Sequence, residues 1–195
     1  MRAQHHWRNH LLGGVDQPVK IQSGFDALAF QYAREHLKLR VASARAEAVG
    51  QIIKLDPRKT GEGQTPLVWS VKVTKMSGGN AGVWATPALY KEMLYVPTHG
   101  GALLGIHRET GEIVWQKKFS EHAWGSPVVV DKTLIIGDTY GTLHAYDVSD
   151  TTVDPPVVWE FKVPSGSALE STPAVWKGGI YMGSRDGYFY KFGDE

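Results

Sequence analysis

Carboxylates that could take part in acid–base chemistry lie at two places in the strand-rich part of this chain. Asp138 and Asp186 each stand near the end of a predicted strand, where a carboxylate could serve as a general base. Each also lies close to the glycine of a predicted hairpin, and a carboxylate there commonly accepts hydrogen bonds from the turn backbone. We therefore favour turn capping for both residues and predict no catalytic residue.

Histidines could supply metal ligands, but their spacing indicates no metal site. His6 and His10 are four residues apart and could bind a metal together with His5 if the N-terminus were helical. No carboxylate is placed to orient them and no helix is indicated there, so we favour a disordered or tag-like terminus. The remaining candidates show no metal-ligand spacing; they are His99, His107, His122 and His144. We predict no metal site.

The composition excludes several further kinds of chemistry. The chain has no cysteine, which rules out disulfides, thiolate metal sites and cysteine nucleophiles. No glycine-rich phosphate loop and no Ser-His-Asp pattern is recognisable. No apolar run approaches the roughly 20 residues that span a bilayer, and the N-terminus has no apolar core of signal-peptide length. We expect no transmembrane segment.

Charge is divided unevenly along the chain, although the net charge is only +1. Residues 1–60 carry ten basic and five acidic side chains, whereas residues 61–195 carry eleven and fifteen, so their net charges are +5 and −4. A basic head could contact nucleic acid or an anionic surface. Because no basic run is interleaved with aromatic residues in a stacking pattern, we favour a solvated basic surface and predict no nucleic-acid partner.

Residues 1–49 differ in composition from the rest and are predicted to form a separate N-terminal segment. The stretch 24–49 is free of proline and rich in Ala, Leu, Arg and Glu. Ser23 followed by Asp26 fits a capping box and Gly50 fits a stop signal, so a helix is predicted over 24–49. Its apolar residues spread over more than one face, which indicates that the helix needs a packing partner.

From Gly50 onward the chain repeats itself. Trp84-Ala-Thr-Pro87 returns as Trp124-Gly-Ser-Pro127 after 40 residues, and as Glu170-Ser-Thr-Pro173 after a further 46. The same two offsets align three short apolar runs, which begin at Leu94, Leu134 and Ile180. They also align three glycines, Gly101, Gly141 and Gly187. Independent features that keep one register identify a true repeat.

Each repeat is predicted to form four antiparallel strands. The first strand begins at the proline, which is tolerated at the start of a strand, and a polar turn leads to a second apolar strand. The aligned glycine can adopt positive φ and closes a tight hairpin to the third strand. A fourth strand such as EIVWQKKF (112–119) completes a unit of 40–46 residues, which is the size of a propeller blade.

The turn between the third and fourth strands carries a second recurring phrase, which ends in tryptophan. It needs a residue that hydrogen-bonds to its own backbone and a glycine that reverses the chain. These features are supplied in successive copies by Asp56 with Thr60 and Gly61, by Thr110 and Gly111, and by Asp147. We predict that the tryptophans that follow pack each outer strand against a neighbouring blade, with the indole N–H on a backbone carbonyl. They are Trp69, Trp115 and Trp159.

With these motifs, residues 50–195 resemble the pyrroloquinoline-quinone-like (PQQ-like) propeller repeat, whose signature is approximately Ala-x-Asp-x-x-Thr-Gly-x-x-x-Trp. The match is closest from Gly105 to Trp115, where Gly105 replaces the alanine and His107 takes the turn position of the aspartate. Ala145-Tyr146-Asp147 begins a copy with an expanded turn that lacks Thr-Gly, and Lys54-Leu55-Asp56 begins another.

The resemblance implies an all-β fold, a partial β-propeller of about three four-stranded antiparallel blades after the helical or irregular segment 1–49. We assign a half blade to 50–73, blades to 84–119 and 124–163, and an incomplete blade to 168–193. In this assignment the first copy lacks its first two strands and the last copy lacks its fourth. Open end blades expose sheet faces, so we expect either part of a larger propeller or self-association.

The resemblance implies two functions of different classes. Quinone-dependent alcohol or sugar dehydrogenases of this family hold PQQ over Ca²⁺ with Glu and Asn ligands, an Asp base, a stacking Trp and often a vicinal disulfide. This chain has no cysteine, and its only asparagines, Asn9 and Asn80, lie outside the predicted strands. We therefore favour a non-catalytic scaffold for protein interaction or assembly, similar to the propeller lipoprotein that assists outer-membrane barrel assembly. This function implies a protein partner, a periplasmic or cell-envelope location and no cofactor.

Overall fold

The computed structural model describes residues 50–56, 58–59, 62–73, 76, 82–120 and 122–193, together with the backbone of residues 39–43. The described residues form fourteen β-strands in four sheets, and they include no helix. Strands that are neighbours in a sheet are antiparallel and consecutive in the chain. The prediction of an all-β fold built from repeated antiparallel units is confirmed.

The four sheets follow one another along the chain. The first sheet contains β1 (Leu39–Ser43), β2 (Gly50–Leu55) and β3 (Leu67–Lys72). The second contains β4 (Ala88–Tyr90), β5 (Met93–Pro97), β6 (Ala102–His107) and β7 (Ile113–Lys118). The third contains β8 (Val128–Val130), β9 (Thr133–Gly137), β10 (Thr142–Asp147) and β11 (Val157–Lys162). The fourth contains β12 (Ala174–Trp176), β13 (Gly179–Gly183) and β14 (Phe189–Phe192).

Three apolar cores lie between consecutive sheets, so the sheets stack face to face in chain order as propeller blades do. Strand β5 shows the principle, because its alternate side chains serve two cores. Leu94 and Val96 pack with Ile52 of the first sheet, whereas Met93 and Tyr95 pack with the third sheet. A strand covered on both faces reads as a continuous apolar run rather than as an alternating one. This explains why MLYVP is buried throughout.

The first sheet corrects two predictions about the N-terminal part of the chain. Residues 39–43, which fell within the helix predicted over 24–49, form strand β1 and pair with β2 from Leu39 opposite Lys54 to Ser43 opposite Gly50. The first copy therefore has a second strand, which the sequence assignment had left out. Pairing satisfies the backbone groups along the edge of β2, and this gain overrides a local preference for helix. The rest of 1–49, with Ser23, Asp26 and the histidines at positions 5, 6 and 10, lies outside the described residues.

A β-bulge recurs at one place in three sheets. The register between the third and fourth strands shifts directly after Lys54, Gly105 and Ala145, and these residues stand opposite Trp69, Trp115 and Trp159 respectively. A bulge bends the strand and increases its twist. Each repeated tryptophan thus stands opposite the residue after which the register shifts.

Among the described residues, no helix is long and apolar enough to cross a membrane.

Candidate functional site

In the turns between the third and fourth strands, a side chain accepts a hydrogen bond from the backbone of its own turn. Asp56 and Asp147 each accept a hydrogen bond from the backbone N–H two residues later, at 3.1 Å and 2.9 Å. In the second sheet His107 takes this position, and its Nδ1 accepts a hydrogen bond from the backbone N–H of Thr110 at 3.3 Å. The hydroxyl oxygen of Thr110 in turn accepts from the backbone N–H of Glu112 at 3.2 Å. These predicted residues close turns and are not arranged around a ligand.

Trp69 joins the first sheet to the second. Its indole Nε1–H donates to the backbone carbonyl of Arg108 across the boundary between the sheets, at 3.1 Å. Its ring lies so close to Gly111 that a Cβ atom there would come within 2.7 Å of it. Thr60 and Gly61, the predicted turn residues of the first copy, lie outside the described residues.

The other two repeated tryptophans make different contacts. Trp115 is buried with its ring directly over Gly105 on the paired strand and 5.9 Å from the ring of Tyr95. Its Nε1 is buried without a hydrogen-bond partner in the described part of the chain. Trp159 lies at the boundary with the fourth sheet, 6.2 Å from the ring of Phe192. Equivalent positions in the repeat therefore do not have equivalent bonding.

The hairpins between the second and third strands lie at the opposite ends of the sheets from these turns. Their predicted glycines have positive φ, with 74° at Gly101, 80° at Gly141 and 84° at Gly187. The left-handed region is open to glycine and costly for other residues. The hairpins are thus tight, and they hold the side chains beside them in fixed positions at this end of the sheets.

Asp138 lies in one of these hairpins and is the most enclosed carboxylate among the candidates. Its Oδ1 accepts hydrogen bonds from the backbone N–H groups of Tyr140 and Thr142 at 3.0 Å and 2.7 Å. Its Oδ2 lies 3.1 Å from His144 Nε2, and His144 Nδ1 lies 2.6 Å from Glu160 on strand β11. Burial raises the pKa of Asp138, but the hydrogen bonds from His144 and the backbone outweigh it and hold the pKa below the usual value.

Asp186 caps the equivalent hairpin of the fourth sheet. Its Oδ1 accepts from the backbone N–H of Tyr188 at 3.0 Å, and its Oδ2 accepts from the hydroxyls of Ser165 and Tyr190 at 2.6 Å and 2.8 Å. The hydrogen bond from Ser165 is the largest cause that lowers the pKa of Asp186 to about 2. Both Asp138 and Asp186 thus cap turns, which is the interpretation that the sequence favoured, and they lie in different sheets.

An aromatic cluster occupies the same end of the sheets as the hairpins. Trp84 and Trp124, which lead into the first strands of the second and third sheets, have ring centroids 5.2 Å apart with planes inclined by 31°. His99 packs against Trp84 at 4.3 Å and against His122 at 4.4 Å. His122 Nδ1–H donates to the backbone carbonyl of His99 at 2.8 Å. Trp84 is 54% exposed, so the cluster presents an aromatic ring to solvent.

The fourth sheet adds two charged side chains to this cluster. Where the earlier copies have tryptophan, it has Glu170, whose carboxylate pairs with the Arg185 guanidinium at 2.6 Å. That guanidinium also lies 5.7 Å from the centroid of the Trp124 ring, within the range of a cation–π contact. The side chain of Arg185 is 64% exposed. We use the name aromatic cluster for Trp84, His99, His122, Trp124, Glu170 and Arg185, which together span three sheets.

The surroundings of His99 favour its uncharged form. Burial lowers the pKa of His99, and the neighbouring His122 adds a smaller decrease. In the described residues, His99 Nδ1 and Trp124 Nε1 are both buried without a hydrogen-bond partner. The cluster therefore combines an imidazole whose uncharged form is favoured, at His99, with the ion pair of Glu170 and Arg185.

The sequence predicts this cluster only in part. Trp84 and Trp124 served as markers of the repeat, and His99 and His122 were considered only as metal ligands. The missed signal is that the aligned position reads Trp, Trp and Glu in successive copies, beside His99 in one hairpin and Arg185 in another. Residues that are equivalent in a stacked repeat come to lie side by side, so such columns mark a surface.

The residues present do not fit a quinone held over calcium. Within the described residues, no three His, Asp or Glu side chains converge to hold a metal ion. Asp138 already accepts from two backbone N–H groups and contacts His144. The Trp124 ring lies between Trp84 and the Arg185 guanidinium.

Comparison with known proteins identifies relatives of this chain. A family model described as "Outer membrane protein assembly factor BamB" matches residues 48–192. The protein of that name from Shewanella oneidensis is 25% identical over an alignment of 227 residues with its gaps. The alignment covers 89% of this chain and 55% of the relative. The crystal structure of BamB from Moraxella catarrhalis has 25% identity and a TM-score of 0.60, covering 80% of this chain and 43% of that one.

A third similarity concerns the fold alone. A quinohemoprotein alcohol dehydrogenase from Pseudomonas putida HK5 has 18% identity and a TM-score of 0.53, covering 71% of this chain and 27% of that one. The chain spans about half the length of its relatives from Shewanella and Moraxella. Because the family model covers about three-quarters of the sequence, this chain belongs to the outer membrane protein assembly factor BamB family.

Proposed function

We propose that this chain is a non-catalytic scaffold that binds other proteins during outer-membrane protein assembly. The observation that carries the proposal is the aromatic cluster, which crosses three sheets and presents Trp84 to solvent. Exposed aromatic rings beside an arginine are typical of the surfaces with which proteins bind one another. The names of the relatives from Shewanella and Moraxella support the role in assembly.

Catalysis is the weaker alternative, because the candidate carboxylates already have structural partners. Asp138 and Asp186 cap hairpins, and His144 lies between Asp138 and Glu160. A general base must be within reach of a substrate proton. These groups instead hold the turns and the outer strand of their own sheets. We propose that the chain needs no cofactor, and a PQQ-dependent dehydrogenase with Ca²⁺ stays the alternative.

The relatives' name also supports a place of action. We propose that the chain works in the cell envelope on the periplasmic side of the outer membrane, where an outer-membrane assembly factor would meet its partners. Those partners are proteins and not nucleic acid, since the exposed end of the cluster is aromatic and carries only one guanidinium, itself paired with Glu170. Binding to a phosphate backbone would require several unpaired basic side chains.

Self-association is a further part of the proposal. The outer face of the fourth sheet exposes Trp176 at 67% and Phe189 at 72%, and Tyr181 stacks on Phe189 at 6.4 Å. The inner face of the same sheet packs through Phe192 on Phe161 of the third sheet, at 4.9 Å. The outer face is thus apolar, like the inner face that the third sheet covers. We propose that the sheet of a second copy covers the outer face in the same way.

The experiment that tests the scaffold is site-directed photocrosslinking in an envelope preparation. A photoreactive residue replaces Trp84, and a control replaces Val153, which is also exposed but lies at the opposite ends of the sheets. We expect position 84 to give a crosslink to an outer-membrane assembly protein, identified by mass spectrometry, and position 153 to give none. Equal labelling from both positions would contradict the proposal. Dye-linked alcohol oxidation after addition of PQQ and Ca²⁺ would favour the dehydrogenase.

A further inference from the structure

The outer face of the fourth sheet is equivalent in the repeat to faces that are covered in the other sheets. We propose that the outer face of the first sheet of a second copy covers it, so that two copies stack head to tail and close one ring. This inference rests on the self-association in the proposed function. It adds which face of the second copy makes the contact and why the assembly stops at two copies.

The register of the fourth sheet shows which face is open. Phe189 is the first residue of β14 to pair with β13, and Leu103 and Leu143 hold the equivalent positions in the second and third sheets. Both leucines have 0% exposure, because each lies in a core shared with the next sheet, whereas Phe189 is 72% exposed. The fourth sheet thus presents a stacking face that no sheet described here covers.

Each boundary between sheets joins two different kinds of face. We call the side that a sheet turns to its successor in the chain its forward face, and the side turned to its predecessor its backward face. Successive residues of a strand point to opposite sides, so the two faces carry different residues. The residues that share a core across the three boundaries are Ile52 with Leu94, Tyr95 with Leu134, and Leu143 with Met182. At every boundary a forward face packs against a backward face.

The first sheet has a backward face that is also open. Ile52 of β2 packs toward the second sheet, so Ile53 and Leu55 point to the other side. Leu55 follows the register shift of its strand, as Ile106 and Tyr146 do in the second and third sheets. Those two equivalents are buried, whereas Leu55 is only partly buried. The chain therefore has one forward face and one backward face that await a partner.

A second copy supplies both missing faces at once. The first sheet of the same chain does not cover the fourth, since Phe189 is exposed. Each copy contributes four described sheets, so two copies give twice four, or eight, which lies within the range of four to eight blades for closed propellers. A head-to-tail contact that closes gives a ring and not a filament. The product is a discrete dimer with two equivalent interfaces.

Contact between the fourth sheets of two copies is the competing arrangement. It would place a forward face on a forward face, which occurs at none of the three boundaries described here. It would also leave the backward face of the first sheet uncovered on both copies. The head-to-tail ring covers all four open faces and so removes more apolar surface from water.

Introduced cysteines identify the faces in contact, because the chain has no cysteine of its own. Gln51→Cys places a thiol on the backward face of the first sheet, since Gln51 alternates with Ile52. Lys191→Cys places one on the forward face of the fourth sheet, where Lys191 pairs with Tyr181. Stacked sheets lie about 10 Å apart, so a bismaleimide of about that span can join the two thiols.

We expect crosslinked dimers when the two cysteine variants are mixed and allowed to exchange subunits, and none from either variant alone. Crosslinking of Lys191→Cys with itself would show that two fourth sheets meet, which would overturn the inference. Light scattering first establishes that both variants are dimers. Dimers that give no crosslink in the mixture would also contradict the head-to-tail contact.

A variant of the first sheet separates this inference from self-association itself. The double variant Ile53→Ser, Leu55→Ser should raise the dimer dissociation constant at least about tenfold, although the fourth sheet is intact. Val153→Ser should dimerise as the parent does. If the double variant is as dimeric as the parent, the ring is wrong and self-association through the fourth sheet stands. If the parent is monomeric, both are wrong.

Mixing two defective variants gives a check that does not depend on loss of binding. The first-sheet variant keeps its forward face, and the variant Trp176→Ser, Phe189→Ser keeps its backward face. The mixture should therefore form heterodimers at concentrations at which neither variant dimerises alone. Because only folded chains can combine in this way, recovery also shows that the substitutions have not unfolded either variant. Two variants that are folded by circular dichroism and yet form no heterodimer would contradict the ring.

Discussion

Trp69 and Gly111 are in contact across the boundary between the first and second sheets. The glycine has a φ of 77°, and a Cβ atom at its position would come within 2.7 Å of the indole ring. The glycine thus serves two purposes, because it takes the left-handed conformation of its turn and leaves room for the tryptophan. At this boundary the contact joins the tryptophan of one copy to the Thr-Gly turn of the next.

Gly111→Ala should destabilise the protein more than a change of backbone conformation alone would. The added methyl group must displace the Trp69 ring, so we expect a loss of about 3 kcal/mol in the free energy of unfolding. Gly187→Ala is the matched control, because Gly187 has a φ of 84° and nothing within 4 Å of a Cβ atom. It should cost only about 1 kcal/mol. Urea unfolding measures the free energy of unfolding of both variants. Equal losses would mean that the contact with Trp69 does not add to the cost of Gly111→Ala.

Trp69 and Trp115 should respond differently to the same substitution. Both rings are buried, but Trp69 donates to the carbonyl of Arg108, whereas Trp115 Nε1 has no partner among the described residues. Trp69→Phe removes a hydrogen bond and Trp115→Phe removes an unpaired polar group. We expect Trp69→Phe to cost about 1 kcal/mol more in the free energy of unfolding. Thermal or urea unfolding of the pair checks this, and a larger loss for Trp115→Phe would reverse the assignment.

The repeat made most of the fold predictable, because its markers are local. Three local markers determine the strand order within each unit. They are the glycines at 101, 141 and 187, the proline before each first strand, and the apolar runs. Strand β1 was missed because residues 39–43 belong to a stretch with helix-forming composition, and only the neighbouring β2 makes that segment a strand. Pairing between segments is not encoded in local preference.

The aromatic cluster was harder to predict, because it exists only between sheets. His99 and His122 are 23 residues apart and come together because consecutive sheets stack. The same is true of Trp124 and Arg185, which belong to different copies of the repeat. Sequence spacing finds ligands that share one helix or turn, whereas a surface built from a column of repeats appears only when the copies are aligned.

Acid should weaken the protein through Asp138. Its folded-state pKa lies below its usual value, so the stability it contributes is present above the unfolded-state pKa and is lost as the pH falls through the folded-state value. We expect this loss to begin below about pH 4. Asp138→Asn should cost about 2 kcal/mol at neutral pH and show a flatter decline in acid, since an amide cannot replace the hydrogen bonds that the ionised carboxylate accepts from the backbone and His144.

The control for Asp138 is Asp131→Asn, in an exposed turn of the same sheet. It should leave both the neutral stability and the acid profile close to those of the parent. Urea unfolding between about pH 7 and pH 3 measures the profiles. A profile for Asp138→Asn that falls as steeply in acid as that of the parent would show that other carboxylates control the acid response.

Self-association should depend on the outer face of the fourth sheet. Trp176 and Phe189 are the most exposed large apolar side chains there, and they lie on one face because Ala174, Tyr181 and Lys191 are paired across the sheet. Light scattering after size exclusion should give a discrete dimer for this chain. The double variant Trp176→Ser, Phe189→Ser should be monomeric, because covering an apolar face no longer removes enough surface from water.

The same measurement on Val153→Ser separates this face from general surface hydrophobicity. Val153 is 47% exposed but lies in the turn before strand β11, away from the fourth sheet. That variant should remain dimeric. A monomeric parent would rule out the second copy as the occupant of this face, and polydisperse aggregation that persists in the double variant would show that other surfaces drive association.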